Sequence, residues 1–239
     1  MSGQLARAAQ LWPRRAPGLP PGQRRLEVFP RFGDQPLRSP PATGPGELTI
    51  GGAGRSEFTI GLDELTALGS KEQRSDFHCV TTWTRQGLTW GGVSMLSVWR
   101  EVIAPQVGTH ADAPFIRAVG ADRFAVVFHR DDLLRPDVLI ASRLDGEPLD
   151  PRHGAPLRLI SPAQYGYKSV KHLVALELHH DQPKLGGKEH LRARVALEER
   201  HSHVPGRLLR MPYRLLIPLT AMLAERSAGP ASRGARSTS

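Results

Sequence analysis

The chain has 239 residues, 39% of them hydrophobic, with a single cysteine. This is too apolar for wholesale disorder and long enough to bury one substantial core. One cysteine excludes an internal disulfide, a Cys-based zinc finger and an iron–sulfur cluster held by the chain's own four thiolates. The formal charge of +9 is unevenly placed: residues 1–46 and 201–239 each carry a net +5, leaving 47–200 at −1. The basic total therefore does not make the folded body a nucleic-acid binder.

Taken in chain order, the N-terminal arm holds nine of the 21 prolines within residues 1–46. Runs such as Leu19-Pro20-Pro21-Gly22 and Ser39-Pro40-Pro41 exclude a helix or a central strand. Leu26 to Gly33 is more apolar and is expected to dock on the body. Leu48 to Ile50 reads as a strand stopped by Gly51-Gly52. Leu62 to Leu68 has helical apolar spacing. Asp76 to Trp83 reads as one strand, and Ser94 caps a helix predicted to end at Pro105. Phe115 to Val119 and Phe124 to Phe128 form two strands, and Val138 to Leu144 and Pro148-Leu149 flank the hairpin signal Asp145-Gly146. Leu157 to Ile160 and Val170 to Leu178 are later strands. Leu208 to Leu223 is apolar but interrupted by Arg210, Pro212, Arg214 and Pro218, a docked surface segment. The tail from Ser227 is small and polar.

No apolar run approaches the roughly 18 residues a bilayer span requires. Arg7 is followed by no apolar h-region, so a reducing cytoplasm is the expected setting.

Two stretches could carry chemistry. Cys79 lies in Phe77-His78-Cys79-Val80-Thr81-Thr82-Trp83. On spacing alone it reads first as a small buried hydrophobe, with a nucleophile or a thiolate ligand to a soft metal as the competing readings. His78 is badly placed as its base, because strand neighbours face opposite ways. The second stretch runs from His153-Gly154-Ala155-Pro156-Leu157-Arg158 to Tyr165-Gly166-Tyr167-Lys168-Ser169-Val170-Lys171. Arg supplies a donor fork suited to phosphate, Lys adds point charge, and glycine lets backbone approach a ligand closely.

Together with Leu144-Asp145-Gly146-Glu147-Pro148-Leu149, these motifs resemble, in matching order, the molybdopterin-binding domain of the sulfite oxidase family. The resemblance spans about residues 26–180, between an arm at 1–25 and a basic extension at 181–239. It implies an α+β fold with mixed sheets and a molybdenum–molybdopterin cofactor. It also implies roles. Cys79 matches the thiolate ligand of molybdenum. His153 and Arg158 match residues holding the pterin and its phosphate, and Ser169, Val170 and Lys171 match the segment binding the cofactor through backbone and ammonium. Asp122 matches a pterin-contacting aspartate. Arg31, in Phe29-Pro30-Arg31-Phe32-Gly33, matches a segment that wraps the cofactor.

The family's immunoglobulin-like dimerisation domain has no room in the remaining residues, and no haem domain is expected. The implied activity is two-electron oxygen-atom transfer on a small-molecule substrate, with electrons exchanged with a separate partner. Val80 to Thr84 is neutral where sulfite oxidases carry substrate-gripping arginines, so a weakly polar substrate is as well suited as sulfite. Arg158, Lys168 and Lys171 are the expected phosphate-facing cations.

Two other readings stand beside this one. One is a non-catalytic cofactor-binding or partner-binding subunit. The other is nucleic-acid binding through the arginine-rich ends, for which no recognised motif appears. His179, His180, His190, His201 and His203 fit no familiar metal spacing and read as surface residues. Trp83, Trp90 and Trp99 read as core.

Overall fold

The computed structural model describes residues 14–31, 41, 44, 46–53, 55–187 and 189–227. The expectations for residues 1–13, for Phe32, Gly33 and Ser39-Pro40, and for the tail from Ala228 lie outside these.

Two sheets organise the chain. The first has the order β1-β5-β8-β10, with β4 on the other edge of β5 and β9 paired to β8. Its strands are β1 (Arg24–Arg25), β4 (Lys71–His78), β5 (Trp83–Ser94), β8 (Leu139–Leu144), β9 (Glu147–Pro148) and β10 (Arg158–Ile160). The second has the order β3-β2-β11-β6-β7, built from β2 (Leu48–Gly52), β3 (Arg55–Ile60), β6 (Phe115–Gly120), β7 (Ala125–His129) and β11 (Leu173–His179). β11 pairs parallel with β2 and antiparallel with β6, so this sheet is mixed. With the helices it gives the α+β architecture expected.

Period-two burial explains the strands. Leu176 and Leu178 on β11, Leu48 and Ile50 on β2, and Ile116 and Ala118 on β6 all turn into one core. Each fully buried Leu or Ile contributes roughly 1.5–3 kcal/mol. A second core gathers Leu26, Phe77, Cys79, Trp83, Leu88, Trp90 and Ile217. β4 is an edge strand, and its Lys71, Glu72 and Arg74 blunt that edge against further pairing.

Several elements differ from expectation for identifiable reasons. The Asp76 to Trp83 strand is broken: β4 ends at His78 and β5 begins at Trp83. Between them Cys79 N–H donates to Trp83 O, Thr82 N–H donates to Cys79 O, and Thr82 takes φ +80°. Cys79 is thus on a tight turn.

The helix after Ser94 does not stop at Pro105. α2 (Met95–Val98) runs through a π turn, Trp99–Ile103, into α3 (Ala104–Val107). Pro105 opens that last segment, where a missing N–H costs least.

The 208–223 stretch forms a long helix, α5 (Arg210–Ser227), with Pro218 inside it. It docks through Ile217, Ala221 and Ala224, each at most 1% exposed. The remaining helices are short, α1 (Leu62–Ala67) and α4 (Arg130–Leu133). Among the described residues no helix is long and apolar enough to cross a membrane.

Candidate active site

Cys79 opens onto a cavity also lined by Phe77, Asp122, Arg158, Ser169 and Lys171. Its volume is about 80 Å³, a narrow cleft. Five of the eight residues singled out from sequence therefore meet there. They come from four places in the chain: the β4–β5 turn, the β6–β7 turn, β10 and the segment before β11.

The thiol is 7% exposed. Burial pushes its pKa up, while a 3.1 Å contact with Thr81 Oγ1 and the charges of Arg200 and Lys171 pull it back. The uncharged form is favoured by burial, and only a compensating positive centre would hold the thiolate there.

Arg158 is 2% exposed and sits in an aromatic box, its Cζ 5.0 Å from the Phe77 ring, 5.4 Å from Trp90 and 5.7 Å from Phe29. Its Nη1 donates to His153 O at 2.9 Å. Lys171 Nζ donates to Arg152 O at 2.9 Å. Gly154 makes this approach possible: it has φ +105°, and a Cβ there would lie 2.9 Å from Lys171 Cα. Gly166 does the same on the other wall, where a Cβ would lie 2.2 Å from the Phe77 ring.

Ser169 Oγ accepts from Ser161 N–H at 3.1 Å. Asp122 Oδ1 accepts from Phe124 N–H at 3.0 Å, fixing the β6–β7 turn.

The other three residues stand back from the cavity wall. His153 stacks on Phe29, with centroids 4.9 Å apart and planes at 8°, and its Nε2 contacts Phe29 O at 3.2 Å. Burial, with Arg158 close by, lowers its pKa to about 4, so the ring is neutral at pH 7. Val170 packs in the main core, and its N–H donates to Lys168 O at 3.0 Å. Arg31 is buried, with Nη1 donating to Ala224 O at 3.3 Å.

Lys168 requires a correction. Its Nζ bonds Glu189 Oε1 at 2.6 Å and Val127 O, and its side chain is fully buried. That ammonium holds the body together; it does not face the cavity.

Sequence reading missed Arg200 and Gln23. Arg200 is fully buried, donates to Val80 O and lies 4.8 Å from the Tyr165 ring. Gln23 Nε2 donates to Cys79 O at 3.2 Å. Both brace the thiol turn, and nothing local in their sequence marks them. Trp83 and Trp90 are core as expected, although Trp90 also walls in Arg158. Among the described residues no three His, Cys, Asp or Glu side chains gather to hold a metal ion by themselves. One buried thiol beside fixed cations suits instead a metal that brings its other ligands with an anionic organic group.

Residues 42–185 match the family model described as the oxidoreductase molybdopterin binding domain, and the chain belongs to that family. It is thus an oxidoreductase domain whose cofactor is molybdopterin with molybdenum. An uncharacterized oxidoreductase of Bacillus subtilis, YuiH, is 29% identical over 66% of this chain and 78% of its own length. The protein-methionine-sulfoxide reductase catalytic subunit MsrP of Xanthomonas axonopodis is 27% identical over 59% of this chain and 47% of its own. The chain thus spans about half the length of the sulfoxide reductase subunits it matches. Among solved structures, the sulfane dehydrogenase SoxCD from Paracoccus pantotrophus overlaps 57% of this chain and 38% of its own, with TM-score 0.48 and 20% identity. On its own, that degree of likeness defines neither substrate nor activity.

Proposed function

We propose that this domain reduces a small neutral S-oxide by two-electron oxygen-atom transfer, with electrons supplied by a separate redox partner. The observation that carries the reading is the convergence of Cys79, Arg158, Ser169, Lys171 and Asp122 on one cavity whose other walls are apolar. A sulfoxide would take two electrons and two protons and leave as sulfide and water. The bound cofactor supplies the redox chemistry. Cys79 would be its thiolate ligand, and Arg158, Lys171 and Ser169 would hold its phosphate. Asp122 would complete the cradle, with His153, Val170 and Arg31 supporting it from behind, His153 as a neutral ring whose Nε2 donates to Phe29 O.

The apolar wall of Phe77, Val80, Phe124 and Tyr167 suits a neutral substrate and keeps bulk water away. Arg200 does not change this, because its side chain is fully buried and already spent on Val80 O and Glu198. The naming of a similar chain as a methionine-sulfoxide reductase catalytic subunit favours the same substrate class.

The test is expression in a host that makes the cofactor, followed by metal and pterin analysis and turnover with a reduced viologen dye and a methyl sulfoxide. About one molybdenum per chain and sulfoxide-dependent dye oxidation are expected. Absence of both metal and pterin would sink the reading, and bound metal without any redox turnover would leave a non-catalytic carrier. Sulfite-dependent ferricyanide reduction alone would reverse both substrate and direction. Cys79→Ser should lose turnover on the order of a thousandfold while keeping much of the pterin.

A further inference from the structure

Behind the thiol turn, a second concavity lies where residues 15–24 meet α5. Arg15, Arg24, Arg210 and Arg214 line it, and its volume is about 400 Å³. Among the described residues, Glu198 is the carboxylate that bonds any of the four: its oxygens accept from Arg210 Nε at 2.6 Å and Nη2 at 2.7 Å. Arg214 bonds only neutral groups, its Nε donating to Thr82 Oγ1 at 3.1 Å and Nη2 to Gly22 O at 3.0 Å. The side chains of Arg15 and Arg24 have no hydrogen bond or ion pair among the described residues.

Like charges gathered around one hollow repel each other, and the repulsion is felt on Arg214. Burial and then the guanidiniums of Arg24, Arg210, Arg200 and Arg15 push its pKa down. A solvated basic surface would let such side chains spread apart. Here the turn at Pro20–Gln23, closed by Gln23 N–H donating to Pro20 O at 3.1 Å, and the docked helix bring them to one space.

We infer that this pocket binds a small phosphate-type oxyanion. Guanidinium forks match the paired oxygens of a tetrahedral anion, and several converging forks match more than one edge of it. A carboxylate offers only one such edge. The site is separate from the Cys79 cavity, yet it touches the same turn. Gln23 lines it and donates to Cys79 O, and Arg214 holds Thr82.

The test is calorimetric titration of the full chain with inorganic phosphate at constant ionic strength, balanced with chloride. Saturable binding of one phosphate per chain is expected. Arg15→Ala and Arg24→Ala should each weaken it about tenfold, the scale of one lost charge-assisted hydrogen bond. Arg135→Ala removes the same charge from a surface pair with Asp137 and should leave binding unchanged. Both pocket arginines are at least partly exposed, and circular dichroism will confirm that the variants fold. No saturable phase, or equal weakening in all three variants, overturns the proposal. So does retention of a single-stranded oligonucleotide with no saturable phosphate phase, which would assign the cations to a macromolecular surface.

Discussion

The two halves of the cavity are built in opposite ways. The lip at 153–171 is made largely from its own neighbourhood: Arg158 reaches His153 O, Lys171 reaches Arg152 O and Ser169 reaches Ser161 N–H, across 5, 19 and 8 residues. The thiol turn at 79–82 is braced from far away. Gln23, Arg200 and Arg214 reach it across 56, 120 and 132 residues. A locally built lip keeps its geometry as long as its strands stand, whereas a remotely braced turn depends on both flanks of the fold staying docked.

The largest expected effect comes from Lys168, which lies within the lip segment but ties it to the body at Val127 and Glu189. Lys168→Met strands Glu189 beside the core and should cost about 3–5 kcal/mol of stability, read by chemical denaturation. Adding Glu189→Gln should recover a substantial part of that loss.

Next is acid. His153 is protonated less readily folded, at about 4, than unfolded, at 6.5. Its contribution is therefore complete above pH 6.5 and is lost as pH falls toward 4. The integrated loss is roughly 3 kcal/mol. In His153→Gln that window should flatten; an unchanged acid profile would remove the ring from the account.

Arg200→Met should cost about 1–3 kcal/mol by leaving Val80 O without its donor. Here the readout separates the two regions. Hydrogen exchange at the Thr82 amide, which donates to Cys79 O, should accelerate beyond what the stability loss predicts in Arg200→Met, and only in proportion to it in Lys168→Met. Equal acceleration per unit of stability lost would break the contrast.

The smallest effect is Gly166→Ala. Its methyl must displace the Phe77 ring, at a cost of about 1–2 kcal/mol, and it should narrow the cavity.

The same contrast explains what could be read from the sequence. Strands with period-two burial, such as β6 and β11, were legible because the pattern is local. So was the lip, whose Gly, Arg and Lys stand close together in the chain. The break at Cys79 was not, because β-forming residues continue through it and only the Cys79–Trp83 backbone pairing ends the strand. Lys168 was misread because charge in a motif does not reveal direction, and its partner Glu189 lies 21 residues on. Arg200 and Gln23 were invisible for want of any local pattern. The 208–223 segment looked broken because Pro218 interrupts its hydrogen bonding, yet Ile217, Ala221 and Ala224 give the helix one buried face.

The remote bracing of the thiol turn also sets an order of events in time. Arg200 lies 120 residues after Val80, so at about 5–20 residues per second it leaves the ribosome roughly 6–24 s later. Until then the turn that carries Cys79 lacks its donor, and Thr82 waits longer still for Arg214. A nascent chain thus holds its strands before it can hold its thiol in place. If Cys79 is the cofactor's ligand as proposed, loading there would follow synthesis of this segment, and a ribosome stalled before Arg200 would present the thiol on an unbraced turn.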